Sequence, residues 1–227
     1  MTSIQTLYFG FGSNLWKDQM ARRCPASPFV GVGRLRGYHW FINVRGYANI
    51  AKTRHKTNSY NHKPAIADEE ELEKGEEDYE NQVWGFVYSL STIDEARLDK
   101  NEGVPYSYEK RIIDCELGVG GEDAAVATAG GWRTVPMLVY IDFRRTEGGH
   151  LPKAEYVHRM NMGIRDALSE GVPRKYVERV LRRYIPTEGE EDEGARELAR
   201  RQAGDFQEES EILGEADAGS GAVSSES

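Results

Sequence analysis

The sequence predicts an α+β fold built around one core, and three observations carry that expectation. Segments of strand type and of helix type are interspersed over residues 7–186, six or seven of the first and four of the second. A chain of 227 residues can bury one sizeable core without a second domain. The acids behind the formal charge of −9 are concentrated away from those segments: residues 68–80 hold nine acids and one base, and residues 187–227 hold thirteen acids and three bases. Setting these aside from totals of 38 acids and 29 bases leaves 16 against 25, so the remainder carries a formal +9. The expected organisation is a folded basic body over 1–186, a flexible acidic insertion at 53–81, and a disordered acidic tail at 187–227 rich in Gly, Ser, Ala and Glu.

The chain opens on Leu7-Tyr8-Phe9-Gly10-Phe11, of strand character, followed by a Gly12-Ser13-Asn14 turn and helix formers from Trp16. A short helix over Lys17 to Arg23 stops before Pro25. Phe29 to Val44 alternates and reads as one long strand or a pair broken at Gly37, with a short strand near Ala48 to Ala51. Val83 to Tyr88 is apolar or aromatic at almost every position, as in a strand covered on both faces. Ser91 or Thr92 can cap the next helix, with Glu95 three residues after Thr92 as in a capping box, and that helix ends at Gly103. Two strands, Tyr108 to Leu117 and Thr134 to Phe143, flank a Gly- and Ala-rich loop at 118–131. Pro152 opens a helix to Ser169 whose Tyr156, Met160, Ile164 and Leu168 form an apolar stripe; Pro173 opens another to Ile185.

Several function classes are disfavoured. No apolar run approaches the ~18 residues of a membrane span and no signal-peptide pattern opens the chain, so a soluble, cytoplasmic protein is expected. Cys24 and Cys115 are far apart and in no metal-like spacing, and reduced thiols are expected. The five histidines show no paired ligand spacing, so a metal site is not suggested. A basic body can steer a small anion or bind nucleic acid, but there is no zinc pattern, no RNP-like aromatic strand and no free-standing basic helix.

Two places carry possible chemistry. A strand-turn-helix junction presents backbone N–H groups to a carboxylate, a phosphate or an oxyanion, and Gly10 and Gly12 permit positive φ or close approach. The same residues also suit a plain strand end in which Ser13 or Asn14 caps the helix. Glu102 falls at the carbonyl end of a helix, where a carboxylate is disfavoured; turned into a pocket beside Tyr106 and Tyr108, it would hold its proton more tightly. A solvated glutamate on an exposed turn is the alternative. Ser13 has no Gly-x-Ser-x-Gly context to mark it as a nucleophile.

Tyr8-Phe9-Gly10-Phe11-Gly12-Ser13-Asn14-Leu15 resembles the opening motif of the γ-glutamylcyclotransferase family, with Phe11 where most members have Tyr. Leu98-Asp99-Lys100-Asn101-Glu102-Gly103-Val104 is similar to the segment holding that family's catalytic glutamate, and Leu151 to Tyr156 with Gly171 to Tyr176 resembles its C-terminal part. The resemblance spans about residues 7–186 and suggests a fungal-type member. It implies a compact mixed β-barrel flanked by helices, release of 5-oxoproline from a γ-glutamyl amide, and no cofactor. It implies Glu102 as general acid/base and Tyr8, Phe9, Gly10, Phe11, Gly12, Ser13 and Tyr156 as substrate-binding residues. By spacing alone Tyr156 would be a core aromatic. The expected partner is a small γ-glutamyl compound, whose leaving group could be an amino acid, cysteinylglycine from glutathione, an amine, or a glutathione adduct as in fungal toxin pathways. The alternative from another class is a noncatalytic module that binds a γ-glutamyl metabolite or a protein.

Overall fold

The computed structural model describes residues 5–53, 77–118, 131–187 and 193–203. Its centre is a closed five-stranded barrel of β1 (Thr6–Gly10), β2 (Phe29–Arg36), β5 (Gln82–Leu90), β6 (Glu109–Gly118) and β7 (Trp132–Ile141), in the order β1-β5-β2-β6-β7. All neighbours are antiparallel except β1 and β7, which run parallel and close the ring through Tyr8 and Leu138. β3 (Tyr38–Ile42) and β4 (Ala48–Lys52) form a separate antiparallel hairpin. The expected α+β class and mixed barrel are both present. Phe29 to Val44 is a pair of strands broken at Gly37, whose φ of 74° is the left-handed turn that separates β2 from β3.

β5 is buried at all nine positions, as its unbroken apolar run implies. It pairs with β1 on one edge and β2 on the other, and β3 packs against it. Trp84, Phe86 and Leu90 are among its fully buried side chains, each worth roughly 1.5–3 kcal/mol of apolar burial. Phe9 lies across the glycines of the adjoining strands: a Cβ on Gly85 would stand 2.8 Å from its ring and one on Gly33 would stand 3.2 Å away.

The helices are α1 (Lys17–Arg23), α2 (Thr92–Asn101), α3 (Ala154–Ser169), α4 (Arg174–Arg179) and α5 (Glu193–Gln202). Ser91, not Thr92, caps α2, accepting from Asp94 N–H at 3.2 Å, while Glu95 is drawn off to Lys110. Asp94 is buried and accepts from Ala26 N–H and Ser27 Oγ, both at 2.8 Å, which ties the end of α1 to the start of α2. The last predicted helix divides: α4 ends at Arg179 and a 3-10 turn, Leu181–Arg183, follows.

Two acidic segments depart in part from expectation. Most of the 53–81 insertion lies outside the described residues, but Glu77 pairs with Arg34, Glu80 pairs with Arg183, and Tyr79–Asn81 forms a 3-10 turn. The basic body thus recruits the end of the acidic stretch through ion pairs. Within the 187–227 tail, residues 193–203 form α5 and its end, packed against α3 with Ala199 and Ala203 fully buried. The expected disorder does not extend to those residues, because small side chains let the helix approach α3 and Arg23 binds its last carbonyls. The remainder of the tail lies outside the described residues. Cys24 and Cys115 are buried free thiols.

Candidate active site

The turn after β1 and the end of α2 meet at a pocket of about 340 Å³. α2 is stopped by Gly103, whose φ of 61° is the left-handed conformation that ends helices. Glu102 sits just before it and donates its N–H to Leu98 O at 2.8 Å. Its carboxyl lines the pocket and accepts from Asn14 Nδ2 at 3.1 Å. Burial raises its pKa above the ordinary carboxylate value, against the opposing pull of Arg23, the Asn14 hydrogen bond, Arg45 and Arg159. The sequence argument for a proton-hungry carboxyl at a helix end therefore finds its pocket; Tyr108 lines the wall, while Tyr106 at the rim is largely exposed.

Asn14 fixes the opposite side. Its Oδ1 accepts from Gln19 Nε2 at 2.8 Å and Arg23 Nη1 at 3.3 Å, which leaves Nδ2 to donate to Tyr8 OH at 2.8 Å and to Glu102. Its backbone carbonyl accepts from Tyr88 OH at 3.0 Å. Five hydrogen bonds give this side chain and its peptide one orientation. The Tyr8 hydroxyl is held protonated by burial first and by the neighbouring Glu102 second, which raise its pKa.

On the third side α3 delivers Tyr156, buried like Met160 and Ile164 of the same stripe and lining the pocket. Its hydroxyl oxygen accepts from Ala48 N–H at 3.3 Å and from the Ser13 backbone. Gly12 makes room for it. Neither Gly10 nor Gly12 adopts positive φ, and Gly12 sits at −107°. The need for glycine there is one of space, since a Cβ would stand 2.8 Å from the Tyr156 hydroxyl and 3.3 Å from Ala48 Cβ. Gly12→Ala is expected to displace Tyr156 from the pocket wall, visible as a changed Tyr156 ring resonance by NMR, with the thermal melt showing the barrel retained.

Of the residues predicted to bind substrate, Tyr8, Phe11, Gly12, Ser13 and Tyr156 line the pocket together with Glu102. Phe9 and Gly10 do not. Side chains alternate along β1, so Tyr8 facing the pocket turns Phe9 to the opposite face, onto Phe11 and the glycines of β2 and β5. Gly10 is packed instead, with a Cβ there falling 3.2 Å from both Asn14 Cβ and Tyr8 OH. Phe11, where the family motif has Tyr, presents its ring to the pocket and its carbonyl to Trp40 Nε1 at 3.0 Å.

Sequence reasoning missed Asn14, Arg23, Arg45, Tyr47 and Arg159, all of which line the pocket. Asn14 belonged to the quoted motif, and Arg159 follows Tyr156 by three residues on one helix face. Arg45 lies over the Tyr108 ring at 4.8 Å and 3.7 Å from Asp142. Arg159 and Glu155 form a buried pair, Nη2 to Oε2 at 2.8 Å and Nε to Oε2 at 3.0 Å, while Arg159 Nη1 donates to Ser13 Oγ at 3.3 Å. Ser13 Oγ also accepts from Gln19 Nε2 at 3.0 Å, so the hydroxyl is engaged as an acceptor. Among the described residues no cluster of three or more His, Cys, Asp or Glu is placed to hold a metal ion, and no helix is long and apolar enough to cross a membrane.

The arrangement defines a closed-barrel protein whose strand-turn-helix loop faces a carboxyl of raised proton affinity across a small pocket. Neither a family model nor a curated protein sequence matches the chain. Solved structures do. An uncharacterized protein from Homo sapiens aligns with a TM-score of 0.56 at 20% identity, covering 86% of this chain and 98% of its own. A structure described as gamma-glutamyl cyclotransferase aligns at 0.55 and 19% identity, covering 87% and 99%. YkqA from Bacillus subtilis aligns at 0.52 and 16% identity, covering 81% of this chain and 56% of its own. The chain has the γ-glutamyl cyclotransferase-like fold.

Proposed function

We propose that the protein is a cofactor-independent γ-glutamyl cyclotransferase. It would close the γ-glutamyl group of a small substrate on itself and release 5-oxoproline with an amino acid or amine. The observation that carries this reading is the Glu102–Asn14 hydrogen bond of 3.1 Å, which joins a carboxyl of raised pKa to the turn after β1.

The chemistry needs little else. The substrate's α-ammonium gives a proton to the Glu102 carboxylate, and the freed amine attacks its own γ-carbonyl carbon. Because attack is intramolecular, it enjoys an effective concentration on the order of 10⁵–10⁸ M when well oriented. A C–N bond forms, Glu102 returns its proton to the departing nitrogen as the amide C–N bond breaks, and the ring nitrogen sheds its remaining extra proton, which the released amine carries away as an ammonium. No water is consumed, and one carboxyl serves as base and then acid. The raised pKa narrows the gap to the ammonium and helps the first transfer.

The Tyr156 hydroxyl, which accepts from the Ala48 N–H at 3.3 Å and is held protonated by burial, would have its own proton to donate to a substrate oxygen. Donors aimed at such an oxyanion contribute about 2.7–4 kcal/mol each in other enzymes. Tyr8 and Phe11 would wall the glutamyl carbons. Arg45 and Lys100 also line the pocket, and that positive balance suits a leaving group that carries its own carboxylate. Two buried thiols suit a reducing cytoplasmic setting.

The test is release of 5-oxoproline from γ-glutamyl amino acids, glutathione and a γ-glutamyl amine. Turnover of the carboxylate-bearing substrates ahead of the amine is expected. Binding without release across the panel would overturn the cyclotransferase reading and favour a γ-glutamyl-binding module.

A further inference from the structure

We infer that α5 is a working part of this site: its last carbonyls hold Arg23 off Glu102 and so keep that carboxyl available for proton transfer. The inference rests on the proposed role of Glu102. It goes beyond it by assigning Arg23 a positioning role and the C-terminal helix a catalytic dependence.

Arg23 closes α1 and is 5% exposed. Its guanidinium divides between two sides. Nη2 donates to Gln202 O at 2.8 Å and Nε to Ala203 O at 3.3 Å, while Nη1 donates to Asn14 Oδ1 at 3.3 Å. Asn14 in turn donates to Glu102. The carbonyl end of a helix carries partial negative charge, so α5 offers a buried cation both hydrogen-bond acceptors and a favourable field. Burial, then the neighbouring Arg159, lowers the Arg23 pKa to about 10, which leaves it charged at neutral pH. The same end of α5 reaches the second arginine: the Gln202 amide nitrogen, correctly oriented, lies 3.1 and 3.2 Å from the Glu155 carboxylate oxygens, and Glu155 holds Arg159.

Remove α5, and a buried guanidinium keeps Asn14 and gains a motive to approach the one carboxylate beyond it, Glu102. A cation at that distance depresses a carboxyl pKa and weakens it as a base. The groups that face Glu102 are Arg23 and Cys24 at the end of α1, Tyr8 of β1 and Arg45 from the β3–β4 connection. Tyr108 before β6, Tyr140 of β7, and Tyr156 and Arg159 of α3 complete the set. Arg23 donates directly to the end of α5, whereas Arg159 is reached from it through Gln202 and Glu155, so releasing α5 should act on Glu102 first through Arg23.

The experiment uses the full chain with Ala199→Arg, which forces a long cation into the buried seam between α5 and α3. Hydrogen exchange reports whether α5 is released, and the Glu102 carboxyl is titrated by carbon-13 NMR beside the pH profile of kcat/KM. The expected result is a Glu102 titration moved down by about one pH unit or more, an acid limb moved with it, and kcat lowered roughly tenfold. A released α5 with unchanged titration and pH profile would overturn the inference. Should Ala199→Arg unfold the body, the milder Ala199→Val is read the same way, and a released α5 with a fixed Glu102 titration would again overturn the inference. A wild-type protein that releases no 5-oxoproline would count against the proposed function alone, because the titration is read without turnover.

Discussion

Glu102→Gln is expected to lower 5-oxoproline release by about 10²–10⁴-fold while leaving substrate binding and the fold intact. The glutamine keeps an oxygen that can accept from Asn14 Nδ2, so the 3.1 Å contact survives and what is lost is the exchangeable proton. The wild-type profile should show an acid limb above the usual carboxylate range, since the base form is needed and burial raises the pKa. The same shift has a stability consequence of opposite sign. A carboxyl whose pKa is raised on folding binds more protons in the folded state, so its contribution is most favourable below the unfolded pKa and is lost as pH rises through the folded pKa. Above the unfolded pKa Glu102 therefore costs stability, and Glu102→Gln should melt higher than wild type at pH 7, with the difference vanishing in acid. An inactive variant that melts lower at pH 7 would contradict the idea of a strained catalytic carboxyl.

Much of this was legible in the residues, for identifiable reasons. The unbroken apolar run of β5 announced a strand covered on both sides, and Gly37 announced the break between β2 and β3. Glu102 was legible only in part, because its place at the carbonyl end of a helix is electrostatically unfavourable but the resemblance of its segment was needed to set it above a solvated glutamate. Phe9 was misassigned because a motif lists consecutive residues, whereas a strand sends neighbours to opposite faces. The arginines were illegible for a different reason. Composition presents Arg23 and Arg159 as surface charge, yet each is buried, and Arg23 finds acceptors 179 and 180 residues away on a helix inside a stretch that reads as solvated tail. No local pattern encodes a partner at that separation. The parallel β1–β7 contact that closes the barrel is equally nonlocal.

Arg159→Met is expected to destabilise the fold by about 3–5 kcal/mol, the largest single effect on stability argued from this site. Arg159 and Glu155 are 2% and 5% exposed, one turn apart on α3, and bonded at 2.8 and 3.0 Å. Removing the cation strands a buried carboxylate that keeps the Tyr47 hydroxyl at 3.1 Å, with the Gln202 amide within reach. The penalty is that of an uncompensated charge, not the net worth of the pair. The double variant Arg159→Met with Glu155→Met should therefore recover most of the loss, because apolar residues of similar volume replace a buried ion pair at little net cost. Urea unfolding of the two single variants and the double closes the cycle. The activities should diverge from the stabilities. Both Arg159 variants lose the Nη1 contact to Ser13 Oγ, so turnover stays low even where stability returns. If the double variant were as unstable as Arg159→Met, the pair would be holding the fold through the Ser13 turn itself, and the separation drawn here between folding and positioning would fail.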